Sequence, residues 1–154
     1  MTRANWKFVV ALAVCTLLPL VSASAKDKVT RPFQMAANSQ LVIVVDPQDP
    51  AYGTYTAHAE GVASHLGEVV IDEAGIIVAP VFEGTMKAAN GDLVTYEYDN
   101  GQFQIRITGG TRRFTGASGT FTLNVQLAGP PVLDPVAGTM TYNFIWTGSG
   151  TITY

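Results

Sequence analysis

The chain has 154 residues, with 12 acidic and 9 basic side chains and a net charge of −3. A surface without a basic surplus offers no footprint for nucleic acid or anionic lipid, and neither is expected as a partner. The length suits one domain around one core.

Residues 1–25 read as a signal peptide. Arg3 and Lys7 form a basic n-region, Phe8 to Val21 an apolar run, and Ala23-Ser24-Ala25 a small-residue cleavage site. A membrane anchor is the competing reading, but the run gives out at Ser22, short of the about 20 apolar residues that span a bilayer. A lipid-modified Cys15 is a third reading, disfavoured by Val14 before it and the apolar run after it. The mature chain is expected to begin at Lys26, exported to the periplasm or beyond, without stable membrane insertion after cleavage. It then holds seven basic and twelve acidic residues, a net charge of −5. The one cysteine leaves with the leader, so neither a disulfide nor a thiol nucleophile remains.

Residues 26–40 carry three basic side chains and little periodicity. They read as a loose lead-in with room for a short strand. Leu41 to Val45 is a β-branched run suited to a strand buried on both faces, or one covered at an edge, stopped by a proline-bearing loop at 46–50. Gly53 to Ala63 alternates, with Tyr55, Ala57 and Ala59 against Thr54, Thr56, His58 and Glu60. Leu66 to Ile71 and Ile76 to Ala79 flank Asp72-Glu73-Ala74-Gly75, which has the composition of a tight turn. Val81 to Ala88 and Leu93 to Tyr98 flank Asn90-Gly91, a strong hairpin signal, and Asn100-Gly101 joins Leu93–Tyr98 to a strand over 102–108 in a second hairpin.

The clearest pattern runs from Gln102 to Leu127. Phe103, Ile105 and Ile107 share one face of a strand; Phe121, Leu123, Val125 and Leu127 share one face of the next. Period two means one buried and one wet face. Met140, Tyr142, Phe144 and Trp146 repeat the pattern in a strand over 138–147, which Ile152 to Tyr154 extends beyond a Gly-Ser-Gly bend.

This gives about eight short-looped strands and no helical period after the leader, which fits an all-β domain over 41–154. A two-sheet sandwich and a closed antiparallel barrel both satisfy it. Gly61, Gly67, Gly84 and Gly148, in or beside strands, favour the curvature of a barrel, and closure removes exposed edges. An outer-membrane barrel fits less well, since the wet rows are Thr, Asn and Gln and the chain is short for eight spanning strands.

The loop Gly109-Gly110-Thr111-x-x-Phe114-x-x-Ala117-x-Gly119 resembles the GGTGxFxxAxG signature of dirigent proteins. It is also similar to the corresponding loop of bacterial members of the allene oxide cyclase barrel superfamily. Ser64-His65-Leu66-Gly67 and Ala88-Ala89-Asn90-Gly91-Asp92 resemble segments of the exported bacterial members, in the same order. The resemblance implies an eight-stranded antiparallel, calycin-like β-barrel. One position departs: Arg112 stands where the signature has glycine, so a left-handed turn there would cost about 1 kcal/mol. The catalytic and substrate-binding residues of the plant cyclases do not map onto these segments, and none is carried over.

Candidate chemistry is sparse. His58 and Glu60 share a strand face and His65 follows closely, but the face is polar and the spacing weak for a metal. Solvated surface is the better reading of His58, and a structural turn that of His65. No Gly-x-Ser-x-Gly elbow occurs, and the glycine-rich loop lacks the lysine and following helix of a phosphate cradle. No metal and no cofactor are expected.

An eight-stranded barrel is just wide enough to be filled by side chains or to hold one small ligand. A mouth pocket would use Tyr96, Tyr98, Phe103, Tyr142 and Trp146, with Glu97 as polar contact. Three functions stay open: non-covalent binding of a small apolar ligand, an isomerase or cyclase that shields a reactive substrate, and a structural barrel with a filled interior. A cavity holding a buried ionisable pair would favour the second, a cavity without one the first, and a solid interior the third.

Overall fold

The computed structural model describes residues 27–45, 48, 53–77, 79, 81–99 and 101–154. The expected signal peptide and its cleavage site lie outside the described residues, as do Asn100 and all of the 46–50 loop except Gln48. Among the described residues no helix is long and apolar enough to cross a membrane.

The strands are β1 (Thr30–Val45), β2 (Gly53–Ala63), β3 (Gly67–Ile76), β4 (Val81–Ala88), β5 (Leu93–Asp99), β6 (Gln104–Gly110), β7 (Ser118–Leu127), β8 (Val132–Asp134) and β9 (Thr139–Thr153). A single 3-10 turn, Arg112–Phe114, interrupts them. Each strand from β1 to β7 pairs antiparallel with the next, β7 pairs with β9, and β9 returns to β1. The result is a closed barrel of eight antiparallel strands, β1 to β7 and β9, the alternative that the strand glycines and the removal of exposed edges favour over a sandwich. Short β8 continues along β9 past the end of β7, with Val132 opposite Thr141.

Period two builds the interior. On β1, Phe33, Met35, Ala37 and Ser39 are buried and the residues between them exposed. On β7, Phe121 and Leu123 are buried and Val125 is partly buried against the core, all facing inward as the alternation requires. Leu127, expected on the same face, lies past the rim and is exposed. The Phe33 and Phe121 rings pack with centroids 4.8 Å apart. The Asn90-Gly91 hairpin forms as predicted: Gly91 takes φ +81° and its N–H donates to the Ala88 carbonyl at 2.9 Å.

Several expectations are corrected. The lead-in over 26–40 is, from Thr30, the first barrel strand; its inward row includes Ala37 and Ser39, which give little hydrophobic signal. Leu41 to Val45 is not buried on both faces, since Val44 is exposed. The Asp72–Gly75 turn does not exist. β3 runs through it, pairing His58 with Asp72 and Tyr55 with Gly75, because the long β2 needs a partner of equal length. The Gly148-Ser149-Gly150 bend is likewise continuous strand. Phe103 leaves the alternation: β6 begins at Gln104, and Phe103 sits in the preceding turn at φ +52°.

One end of the barrel is solid. There Phe114 is fully buried with Phe33, Val94 and Ile152, and its ring meets that of Tyr154 at 4.9 Å. The three segments that carry the family resemblance meet at this end. Asp92, itself buried, receives Arg113 Nε at 3.0 Å and Arg112 Nη1 at 3.3 Å. Arg113 also donates to the His65 carbonyl, tying the third segment in. Arg112 takes a left-handed conformation, at φ +51°. Its side chain offsets that strain by donating to the Asn90 carbonyl at 2.8 Å.

Candidate functional site

The opposite end is open. A cavity of about 330 Å³ enters the barrel there, against a wall of Leu41, Ile43, Phe82, Ile105, Leu123 and Phe144. These come from alternate positions of neighbouring strands, so period two, which fills the closed end, lines this one. Three aromatic rings make one side continuous: Tyr55 meets Phe82 edge-on at 5.2 Å, and Phe82 stacks on Tyr98 at 6.1 Å.

Of the residues expected at a mouth pocket, Tyr98, Phe103 and Trp146 line the cavity. Phe103 does so from its turn, half-exposed over the entrance. Tyr142 does not line it; its ring stacks on Phe144 at 5.9 Å and its hydroxyl donates to Met140 Sδ at 2.7 Å. Glu97 faces outward and pairs with Arg106. The motif residues Gly109, Gly110, Thr111, Phe114, Ala117 and Gly119 belong to the closed end; Leu93 N–H donates to Thr111 Oγ1 at 3.0 Å there, and Phe114 and Ala117 are buried.

Among the described residues the one carboxylate in the cavity is Glu73, which has the turn-like surroundings Asp72-Glu73-Ala74-Gly75 in the sequence. The continuous β3 turns it inward, where buried Tyr96 donates its phenol proton to Glu73 Oε1. Burial pushes the Glu73 carboxyl up from its usual range, and the Tyr96 bond opposes this only in part. The Tyr96 phenol is itself held far above its ordinary range, first by burial and then by the Glu73 charge. The same two causes push Tyr55 up to about 12. Tyr98 rises too, through burial, then Glu73 and Asp99. Three phenols that keep their protons thus surround one carboxyl whose proton is unusually easy to keep.

Two inward glycines make room for these rings. A Cβ on Gly75 would stand 2.9 Å from the Tyr55 ring, and one on Gly84 only 2.3 Å from Tyr96 Cζ.

The wall beside Glu73 is split. β3 and β4 pair only from Val69 opposite Ala88 to Ile71 opposite Met86, then diverge. The resulting slot is lined by inward Glu73 and Tyr96 together with outward Asp72, Glu83, Thr85 and Glu97. Glu73 therefore faces both the apolar cavity and a polar side opening. Among the described residues no Lys or Arg lines either one.

The histidines lie elsewhere. His58 is on the outer face between Asp72 (2.7 Å from Nδ1) and Glu60 (3.3 Å from Nε2), and these hydrogen bonds, Asp72 first, raise its pKa. His65 takes φ +68° in the β2–β3 turn, with Nε2 at 2.9 Å from the Pro32 carbonyl, the structural part foreseen for it. Among the described residues no group of His, Cys, Asp and Glu is arranged to hold a metal ion.

The chain matches no protein-family model and no curated protein.

Proposed function

We propose that this barrel binds a small, largely apolar molecule non-covalently in its open end. The observation that carries the reading is the aromatic-walled cavity of about 330 Å³ holding a single carboxylate. That volume lies at the lower end of the range of small-molecule sites, about 300–1,000 Å³, and apolar walls with few polar groups are their usual make-up. Roughly twice the cavity of about 150 Å³ that accepts benzene, it suits one molecule of bicyclic or medium-chain size. The proposal takes in two further readings from the sequence: membership of the allene oxide cyclase barrel superfamily, and export after cleavage before Lys26.

The test is binding to the purified protein, followed by Trp146 emission with an apolar fluorophore-displacing probe. Ala57 lines the cavity on β2, so Ala57→Phe narrows it and is expected to abolish binding. His58→Ala and His65→Ala, outside the cavity, are expected to leave affinity unchanged. Equal binding by wild type and Ala57→Phe would refute the site.

A second reading, an isomerase or cyclase, has one specific observation in its favour: Glu73 and Tyr96 form a hydrogen-bonded ionisable pair, although only Glu73 of the two lines the cavity and Tyr96 lines the side slot, which ranks this reading second. Such a pair is positioned to give or accept a proton. Incubation with host extract would then give a mass-neutral conversion that Glu73→Gln loses while binding persists. Absence of any isomer leaves the binding reading alone.

A further inference from the structure

We propose that the ligand is an amphiphilic amine, with its apolar body in the cavity and its ammonium head against Glu73. This rests on the cavity being a ligand site, and goes on to say which head group it selects.

Among the described residues Glu73 has no cationic partner. Glu73 faces an apolar chamber, and its hydrogen bond from Tyr96 supplies a proton donor but no positive charge. A carboxylate accepts several hydrogen bonds, and burying one without a cation is costly. The field of Glu73 reaches across the chamber, since it adds to the upward shifts of Tyr55, Tyr96 and Tyr98. A ligand carboxylate entering there would meet like charge with no lysine or arginine on either opening to offset it. An ammonium meets the opposite: an acceptor of opposite sign at the bottom of an apolar passage.

The split between β3 and β4 removes the main objection, the cost of stripping water from an ammonium. Glu73 also lines the slot, whose rim carries Asp72, Glu83 and Glu97. A head group at Glu73 thus keeps access to water through the wall while its chain stays dry. Asp72 and Glu97 are engaged with His58 and Arg106, so Glu83 supplies the rim's negative field and Glu73 the contact.

Three probes of one chain length, decylamine, 1-decanol and sodium decanoate, titrated calorimetrically into the purified protein below their micellar concentrations, decide the matter. Decylamine is expected to bind at least about tenfold more tightly than decanol, and decanoate most weakly of all. Glu73→Gln, checked for folding by near-ultraviolet circular dichroism, should erase the preference for decylamine and let decanoate bind better. The wild-type order stands as a test even if that variant fails to fold. Decanol or decanoate binding as tightly as decylamine overturns the amine assignment while leaving the cavity a ligand site. Binding of none of the three overturns both.

Discussion

Replacing Phe121 with alanine tests how the closed half of the barrel is held. Phe121 is 2% exposed, and its ring packs on Phe33 at 4.8 Å with the planes 40° apart. Across from it, Gly148 on β9 has no side chain to move into a void; a Cβ there would already lie 2.9 Å from Phe121 Cδ2. Gly150 brings the β9 backbone closer still, so that its Cβ would stand 2.5 Å from Phe121 Cα. A ring removed from this position leaves space that a closed sheet cannot collapse to fill. The cost therefore belongs in the upper part of the about 3–5 kcal/mol range for Phe→Ala in cores. With a urea slope of about 2 kcal/mol/M, a loss of about 4 kcal/mol lowers the unfolding midpoint by about 2 M at unchanged slope. Coupling to Phe33, read from the Phe33→Ala, Phe121→Ala cycle, should be about 0.5–1.5 kcal/mol. A loss below about 1 kcal/mol for Phe121→Ala would refute the reasoning and make the position effectively exposed.

Gly84→Ala should force the Tyr96 ring away from Glu73, costing about 1–3 kcal/mol by overpacking, and the altered tyrosine environment should register in near-ultraviolet circular dichroism. An unchanged spectrum would count against the contact. The Glu73 carboxyl is raised in the folded state, so between its ordinary and its raised pKa the folded protein holds a proton that the unfolded chain lacks. Wild-type stability consequently falls as pH rises through that window. The Tm advantage of Glu73→Gln should be smallest below the ordinary carboxylate range, grow through the window and then level off; a pH-independent difference would contradict this. Arg112→Gly relieves about 1 kcal/mol of left-handed strain but loses one partner of Asp92, and should change stability by no more than about 1 kcal/mol in urea titration. Adding Arg113→Ala strands the buried Asp92 charge and should cost about 3–5 kcal/mol. A double variant as stable as the single one would mean that Asp92 is compensated elsewhere.

The barrel was legible because inward and outward positions differ in kind. Where the inward row is large and apolar, as at Phe121, Leu123 and Val125, alternation located strand, face and burial together. Where the inward row is small, as at Ala37 and Ser39, the same geometry carries almost no signal, and about two thirds of β1, Thr30 to Gln40, reads as a lead-in. Local composition misled at Asp72–Gly75 because turn chemistry is a short-range cue, whereas the strand there is imposed by pairing with β2. That error hid Glu73, the residue on which the site's electrostatics turn. A signal existed: Asp72, Glu73, Ala74 and Gly75 continue the alternation of Val69 and Ile71, with Glu73 in phase with the core. Glu97, by contrast, sits between Tyr96 and Tyr98 and is out of phase with both, so the pocket expectation for it conflicts with its parity, and the structure follows the parity.

The short pairing between β3 and β4 has a consequence for motion. Beyond Ile71 and Met86, the facing amides of residues 72–76 and 81–85 have no cross-strand partner in the β3–β4 ladder. Each strand remains tethered on its far side, β3 to β2 and β4 to β5, so every second amide along the slot is left to solvent. Two short tracks of rapid hydrogen exchange should therefore cross an otherwise slowly exchanging barrel, and the hoop of strands can breathe there without unfolding elsewhere. A molecule lodged against Glu73 would bridge the two lips as a rung of the ladder does. Its arrival would be read as slowed exchange along both tracks at once, far from the aromatic rings that hold its other end.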